Sequence, residues 1–144
     1  MFIVSACLAG KNCKYNGGNN EIAWVIDFIS NHKCVLVCPE EGLLKTPRPP
    51  CEITGGRAID KNGKDITDIL KKGAVNSWEK ASRAADKNEE PIVGAILKAN
   101  SPSCGSEKIY DGTFTGTVID GDGFFARLLK DKGIKVTTEK EVLK

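Results

Sequence analysis

The sequence predicts an α/β fold: an open, mostly parallel sheet with helices on both faces, Rossmann-like, in a single domain spanning residues 1–144. Two observations carry that prediction. Short apolar, β-prone runs alternate with segments of helical periodicity in the order β-α-β-α-β-α-β, and parallel neighbours need such crossovers. The length of 144 residues is also that of one domain, since chains of about 100 to 200 residues usually form one and bury a sizeable core.

Phe2 to Ala6 is the first strand by its apolar content, and Gly10 to Asn20 is too rich in Gly and Asn for regular structure. From Glu21 to Ser30, Ile22, Val25, Ile26 and Ile29 recur at helical spacing behind Asn20, a residue type that caps helix N-termini. Val35 to Val37 is the second strand. From Cys38 to Lys64 the chain is rich in Pro, Gly and charge, and Thr46-Pro47-Arg48-Pro49-Pro50 forces extended backbone without amide donors. A loop of this length, stiffened by prolines, is expected to be functional. Asp65 to Lys87 places Ile66, Ile69, Leu70, Ala74, Trp78 and Ala81 on one face of a long amphipathic helix. Pro91 to Leu97 is a further strand, and Asn100 to Gly116 a second polar, Gly-punctuated loop. Phe124, Phe125, Leu128 and Leu129 mark a third helix stopped by Gly133, and Ile134 to Thr137 the last strand. Trp24 and Trp78 are expected in the core and His32, at a helix end, on the surface.

The 21 basic and 19 acidic residues leave a net charge of +2 with no long basic block, which argues against duplex nucleic acid as a partner. No apolar run reaches the roughly 18 residues of a membrane span, and Met1-Phe2-Ile3-Val4 enters a strand without a charged leader, so a cytosolic protein is expected. In that compartment thiols stay reduced, and six cysteines point to metal or catalysis rather than disulfides. No C-x-x-C pair occurs, which argues against a zinc ribbon or a thioredoxin-like site.

The cysteine positions favour a site assembled from distant loops. Ser5-Ala6-Cys7, Val37-Cys38-Pro39-Glu40 and Ser101-Pro102-Ser103-Cys104 each follow a predicted strand, and open α/β folds bind ligands at the carboxyl ends of their strands. Three thiolates suit an iron–sulfur cluster or zinc over hard cations. A phosphatase loop is excluded, because the run from Cys7 to Lys14 lacks the Arg-Ser that closes one, and Gly121-Asp122-Gly123 is no dinucleotide fingerprint.

Read together, the motifs carry a resemblance. Ser5-Ala6-Cys7-Leu8 with Cys13 and Tyr15-Asn16-Gly17-Gly18, then Cys38-Pro39-Glu40, Thr46-Pro47-Arg48-Pro49-Pro50, Lys98 with Ser101-Pro102-Ser103-Cys104-Gly105, and Tyr110-Asp111-Gly112-Thr113-Phe114, resemble in that order the thiouracil desulfurase (TudS-like) family. The resemblance spans essentially the whole chain. It implies a [4Fe-4S] enzyme that removes sulfur from a thiolated nucleobase or nucleotide by hydrolysis, with the cluster held by Cys7, Cys38 and Cys104. It also implies catalytic assistance from Glu40 and Ser101. Asn16, where the family more often has Asp, and Cys51, where a small apolar residue is commoner, depart from the pattern.

Other residues keep open readings. Cys13 is a candidate fourth ligand, a sulfur acceptor or a packing residue, whereas Cys34 and Cys51 read as structural. Arg48 is a candidate for phosphate or carbonyl recognition through its planar fork, Tyr15 for stacking on a base, and Ser103 competes with Ser101 for a hydroxyl role in substrate binding. A cluster- or zinc-binding carrier or sensor uses the same thiols without chemistry and is the alternative function.

Overall fold

The computed structural model of the chain describes residues 1–143. Its elements are β1 (Phe2–Ser5), a 3-10 turn (Ala6–Ala9), α1 (Ala23–Asn31), β2 (Cys34–Val37), β3 (Cys51–Thr54), β4 (Arg57–Asp60), α2 (Thr67–Asn88), β5 (Gly94–Leu97), β6 (Lys108–Tyr110), β7 (Val118–Asp120), α3 (Phe124–Asp131) and β8 (Val136–Thr138). Four of the strands form one parallel sheet in the order β2-β1-β5-β8. The α/β class with helices on both faces is therefore observed.

The two faces follow from the alternation of side chains along each strand. Ile3, Val35, Val37, Ala95 and Leu97 pack against Ala74, Ala81 and Ala85 of α2 and Phe125 and Leu129 of α3. Val4 and Ile96 point the other way, onto Val25 and Phe28 of α1. Phe125 and Leu129 are fully buried, each contributing about 2 kcal/mol of transfer free energy. Because α1 covers one face and α2 and α3 the other, the winding reverses between β1 and β5. That reversal opens a crevice at the carboxyl ends of the strands. Register aligns those ends, with Ser5 opposite Val37 and Val4 opposite Ile96.

The sequence-based elements recur with corrections. The stretch from Cys38 to Lys64 is not all loop: β3 and β4 form an antiparallel hairpin within it. Its turn is Gly55-Gly56, both at positive φ, the two-residue signal of a tight hairpin, which sits behind a proline run that dominates the local composition. The second polar loop likewise contains β6, paired with β7. Helix α1 begins at Ala23 without a side-chain cap, because its N-cap position is Ile22; Asn20 lies two residues earlier, with its backbone N–H on the Cys7 carbonyl at 3.0 Å. His32 is not a free surface residue; it stacks on Phe28 with ring centroids 3.9 Å apart. Trp24 and Trp78 are half-buried at the edges of the core rather than inside it.

Two glycines bring helices unusually close to the cysteine-bearing turns. A Cβ at Gly73, in the middle of α2, would lie 1.9 Å from the Pro39 carbonyl oxygen. One at Gly123, before α3, would lie 2.5 Å from the Ser103 carbonyl carbon and 2.8 Å from the Cys104 nitrogen. Both contacts are with backbone, which has little room to give. Alanine at an ordinary helix interior stabilises by about 1 kcal/mol over glycine. At position 73 the clash outweighs this gain, since overpacking costs about 1–3 kcal/mol and more against rigid backbone. Gly73→Ala is therefore expected to lower the melting temperature by roughly 5 °C, measured by circular dichroism; an unchanged or raised value refutes the close approach.

Candidate metal centre and active site

Each of the three predicted cysteines sits on a turn that leaves the sheet at the same rim. Cys7 lies in the 3-10 turn directly after β1, and its carbonyl accepts the Gly10 and Asn20 amides, which closes the following loop back on the strand end. Cys38 is the first residue beyond β2. Cys104 follows β5 through a turn organised by Ser101, whose Oγ accepts the N–H groups of Ser103 (3.2 Å) and Cys104 (3.1 Å). All three line one cavity of about 540 Å³, in the size range of small-molecule sites. The wall also includes Cys13, Tyr15, Glu40, Arg48 and Ser101. Cys51 reaches it too, although it belongs to the small core under the β3–β4 hairpin. Cys34 lies apart, half-buried against the α1 face.

Electrostatics separates the thiols. Burial pushes Cys104 and Cys7 above the usual thiol range, opposed at Cys104 by a hydrogen bond with Ser5 and at Cys7 by one with Asn20. Cys38 moves the opposite way, to about 7, because the Cys13 thiol donates to it and the Glu40 and Glu41 amides point at it. The same bond, together with burial, holds Cys13 protonated. The tightest donor group among the described residues is Cys13, Cys38 and Glu41, with ligand atoms within 4.8 Å of one another. The predicted trio of Cys7, Cys38 and Cys104 is more widely spaced than this. A polynuclear cluster holds its ligand sulfurs further apart than a single ion does, so the tighter group has the spacing of a lone cation site and the trio does not. Three thiols around one cavity, none in a disulfide, are a soft donor set that fits iron–sulfur chemistry.

Beside the thiols, Glu40 is fixed from both sides. Arg48 Nε donates to its Oε1 at 3.2 Å and Ser103 Oγ to its Oε2 at 3.3 Å. The Arg48 guanidinium also binds the Lys45 carbonyl and Thr46 Oγ1 through Nη1 and the Cys13 carbonyl through Nη2. Of its five N–H groups one is left, so Arg48 presents no free fork to a phosphate. Ser103 is 1 % exposed and absent from the cavity wall. It stands behind Glu40 and joins it to Ser101, whose Oγ accepts the Ser103 amide. With both acceptor positions of Ser101 Oγ filled by amides, its own O–H is left as a donor.

Several wall residues were not singled out by the sequence. Lys98 bridges the Ala99 carbonyl and Glu139, both at 3.1 Å, and lowers the Cys7 thiol by its charge. Glu52 on β3, Tyr110 on β6 and Phe114 in the loop that follows complete the wall. Lys98, Tyr110 and Phe114 lay within motifs already noted. Glu52 carried no signal, because a lone strand carboxylate reads as solvated.

The sequence profile of the 2-thiouracil desulfurase family matches residues 2–141. The chain belongs to the 2-thiouracil desulfurase family. Within reach of it by sequence is the uncharacterized protein YbbK of Bacillus subtilis (strain 168), 39 % identical over 153 aligned positions that cover 99 % of this chain and 97 % of YbbK. By structure, this desulfurase-family chain is similar to a [4Fe-4S]-dependent thiouracil desulfidase, TudS, with a TM-score of 0.82 and 37 % identity over 96 % of this chain and 90 % of that one. Among the described residues of this family member, no helix is long and apolar enough to cross a membrane.

The Glu40–Arg48 pair is largely enclosed, with side chains 16 % and 7 % exposed. Removing one partner of such a pair strands the other's charge, at about 3 kcal/mol. Arg48→Ala is expected to destabilise the protein by that amount in urea unfolding. Arg48→Lys recovers part of it, since an ammonium replaces only one of the guanidinium contacts. Equal stability of wild type and Arg48→Ala would refute the clamp.

Proposed function

We propose that this protein is a desulfidase that exchanges the sulfur of a thiolated nucleobase or nucleotide for oxygen and releases sulfide, with a [4Fe-4S] cluster held by Cys7, Cys38 and Cys104. One observation supports it above the others: thiols from three separate strand ends line a single cavity in a chain of the 2-thiouracil desulfurase family. The reaction is hydrolytic. A thiocarbonyl and water become a carbonyl and hydrogen sulfide, with no net electron transfer.

When bound, the cluster supplies a Lewis-acidic iron without a protein thiolate, which polarises the carbon–sulfur bond. The chain's own residues supply water handling and proton transfer. Ser101, held as a donor, directs its O–H to the oxygen of a water and leaves that water's protons facing Glu40. Glu40 has a lone pair free on each carboxylate oxygen beyond those used by Arg48 and Ser103, and takes the proton there. The same carboxyl then returns the proton to the departing sulfur. Arg48 and Ser103 act through Glu40 as positioning residues, since Ser103 is absent from the cavity wall and all but one of the Arg48 N–H groups are bound within the protein. A cavity of about 540 Å³ admits a base or nucleotide and excludes a duplex.

Anaerobically reconstituted protein is expected to convert 2-thiouracil to uracil with stoichiometric sulfide. Full iron content without sulfide from any thiolated base would overturn this reading in favour of a cluster carrier or sensor. Cys7→Ala, Cys38→Ala and Cys104→Ala are each expected to lose most of the bound iron, and Cys34→Ala to keep it. Equal iron content in all four would remove the ligand assignment. Glu40→Gln is expected to retain iron and lose turnover by about 10²-fold or more, the usual contribution of a general base; an unchanged rate removes Glu40 from proton transfer.

A further inference from the structure

The part of the wall supplied by Glu52 and Phe114 has no task in the chemistry above. Glu52, on β3, is only 8 % exposed and lines the cavity. Its Oε1 accepts the backbone N–H groups of Gly112 (3.1 Å) and Phe114 (3.0 Å). No hydrogen bond from a described residue reaches its Oε2. Since no buried side-chain oxygen among the described residues lacks a partner, this atom keeps some accessible surface, and Glu52 lines the cavity. On a side chain this enclosed, an oxygen with no protein donor is open to a donor from a ligand in the cavity.

Phe114 stands beside it. The ring is half-buried and lines the same cavity, while its backbone has φ 58, a conformation that bulky side chains rarely adopt. Glu52 holds that conformation by gripping the Phe114 amide. Gly112, at φ 96, keeps the loop against β3, where any Cβ would come within 2.7 Å of the Thr54 Cβ. Strain held at a cavity wall aims a side chain.

An aromatic face next to an unpaired anionic acceptor selects a particular ligand chemistry: a flat heterocycle with ring N–H groups. It also selects the thione form, N–H beside C=S, over the deprotonated thiolate, whose charge Glu52 would repel. We propose that Phe114 stacks on the substrate ring and that Glu52 Oε2 accepts a ring N–H adjoining the thiocarbonyl. This rests on the desulfurising reading of the cavity and adds which thiones it admits: cyclic thioamides that keep an N–H beside the thiocarbonyl, and not those alkylated at every such nitrogen.

Uracil has the same N–H edge with oxygen in place of sulfur, so recognition is measurable without turnover. In calorimetry on cluster-loaded protein, 1,3-dimethyluracil is expected to bind wild type about tenfold or more weakly than uracil, the loss of a charge-assisted hydrogen bond. Dimethyluracil binding as tightly as uracil overturns the proposal without any variant. Glu52→Gln is expected to weaken uracil by a similar factor and to abolish the methylation penalty, because an amide cannot serve both the loop and the ligand as acceptor. A full penalty surviving in Glu52→Gln, at wild-type iron content, overturns it. Phe114→Ala is expected to lose about tenfold in uracil affinity and Phe114→Tyr to restore it; unchanged affinity in Phe114→Ala removes the stacking. Sulfide release tests the other reading separately. Protein that binds uracil in this manner yet frees no sulfide keeps the wall and loses the reaction, whereas sulfide release with an unchanged KM in Glu52→Gln keeps the reaction and loses the wall.

Discussion

Parallel pairing of β1 with β2 on one side and β5 on the other is the constraint on which the site depends. Parallel strands begin at one rim and end at the other, so every strand-ending turn emerges on the same side. Cys7 and Cys38 leave the sheet directly, and Cys104 is folded back to them by the Ser101 turn. A single antiparallel strand among these would send its turn to the far edge. The thiols converge because of the topology, and the reversal of winding between β1 and β5 leaves the space between them open.

Backbone closeness then sets the finer geometry. Gly73 lets α2 rest on the Pro39 carbonyl, and Gly123 lets the start of α3 rest on Ser103 and Cys104. The turns that carry two of the thiols are thereby backed by helices rather than left to solvent. On the other side the Pro-rich segment is tied down by Arg48, whose backbone N–H donates to the Tyr15 carbonyl at 2.7 Å and whose side chain spans Glu40 and Cys13. An arginine flanked by prolines thus staples three loops into one wall. The side chain that looked free to meet a phosphate is occupied by the protein itself.

The polar groups divide by what they have left to give. Ser103 is committed to Glu40, and Arg48 to Glu40, Lys45, Thr46 and Cys13 with one N–H left over, whereas Glu40, Ser101 and Glu52 each keep an unspent donor or acceptor. Burial raises the Cys7 and Cys104 thiols and so favours their protonated form. Cys38, helped by Cys13 and two amides, ionises most readily.

Much of this was legible in the sequence, for definite physical reasons. Periodicity separates α2 from β5, the order of elements imposes a parallel sheet, and turns that follow strands in such a sheet share a rim; the gathering of Cys7, Cys38 and Cys104 at one cavity was therefore legible by position. The two hairpins were not legible, because Gly55-Gly56 lies close to prolines that argue for irregular backbone and β6 and β7 are only three residues each. Nor could pattern assign Ser103 and Arg48 to Glu40, or bring Glu52 to the cavity. Local sequence determines which residues form elements and at which end of a strand a side chain falls. Which donors are already satisfied, and which atom is left facing empty space, depends on contacts between segments distant along the chain, and only the tertiary structure decides them.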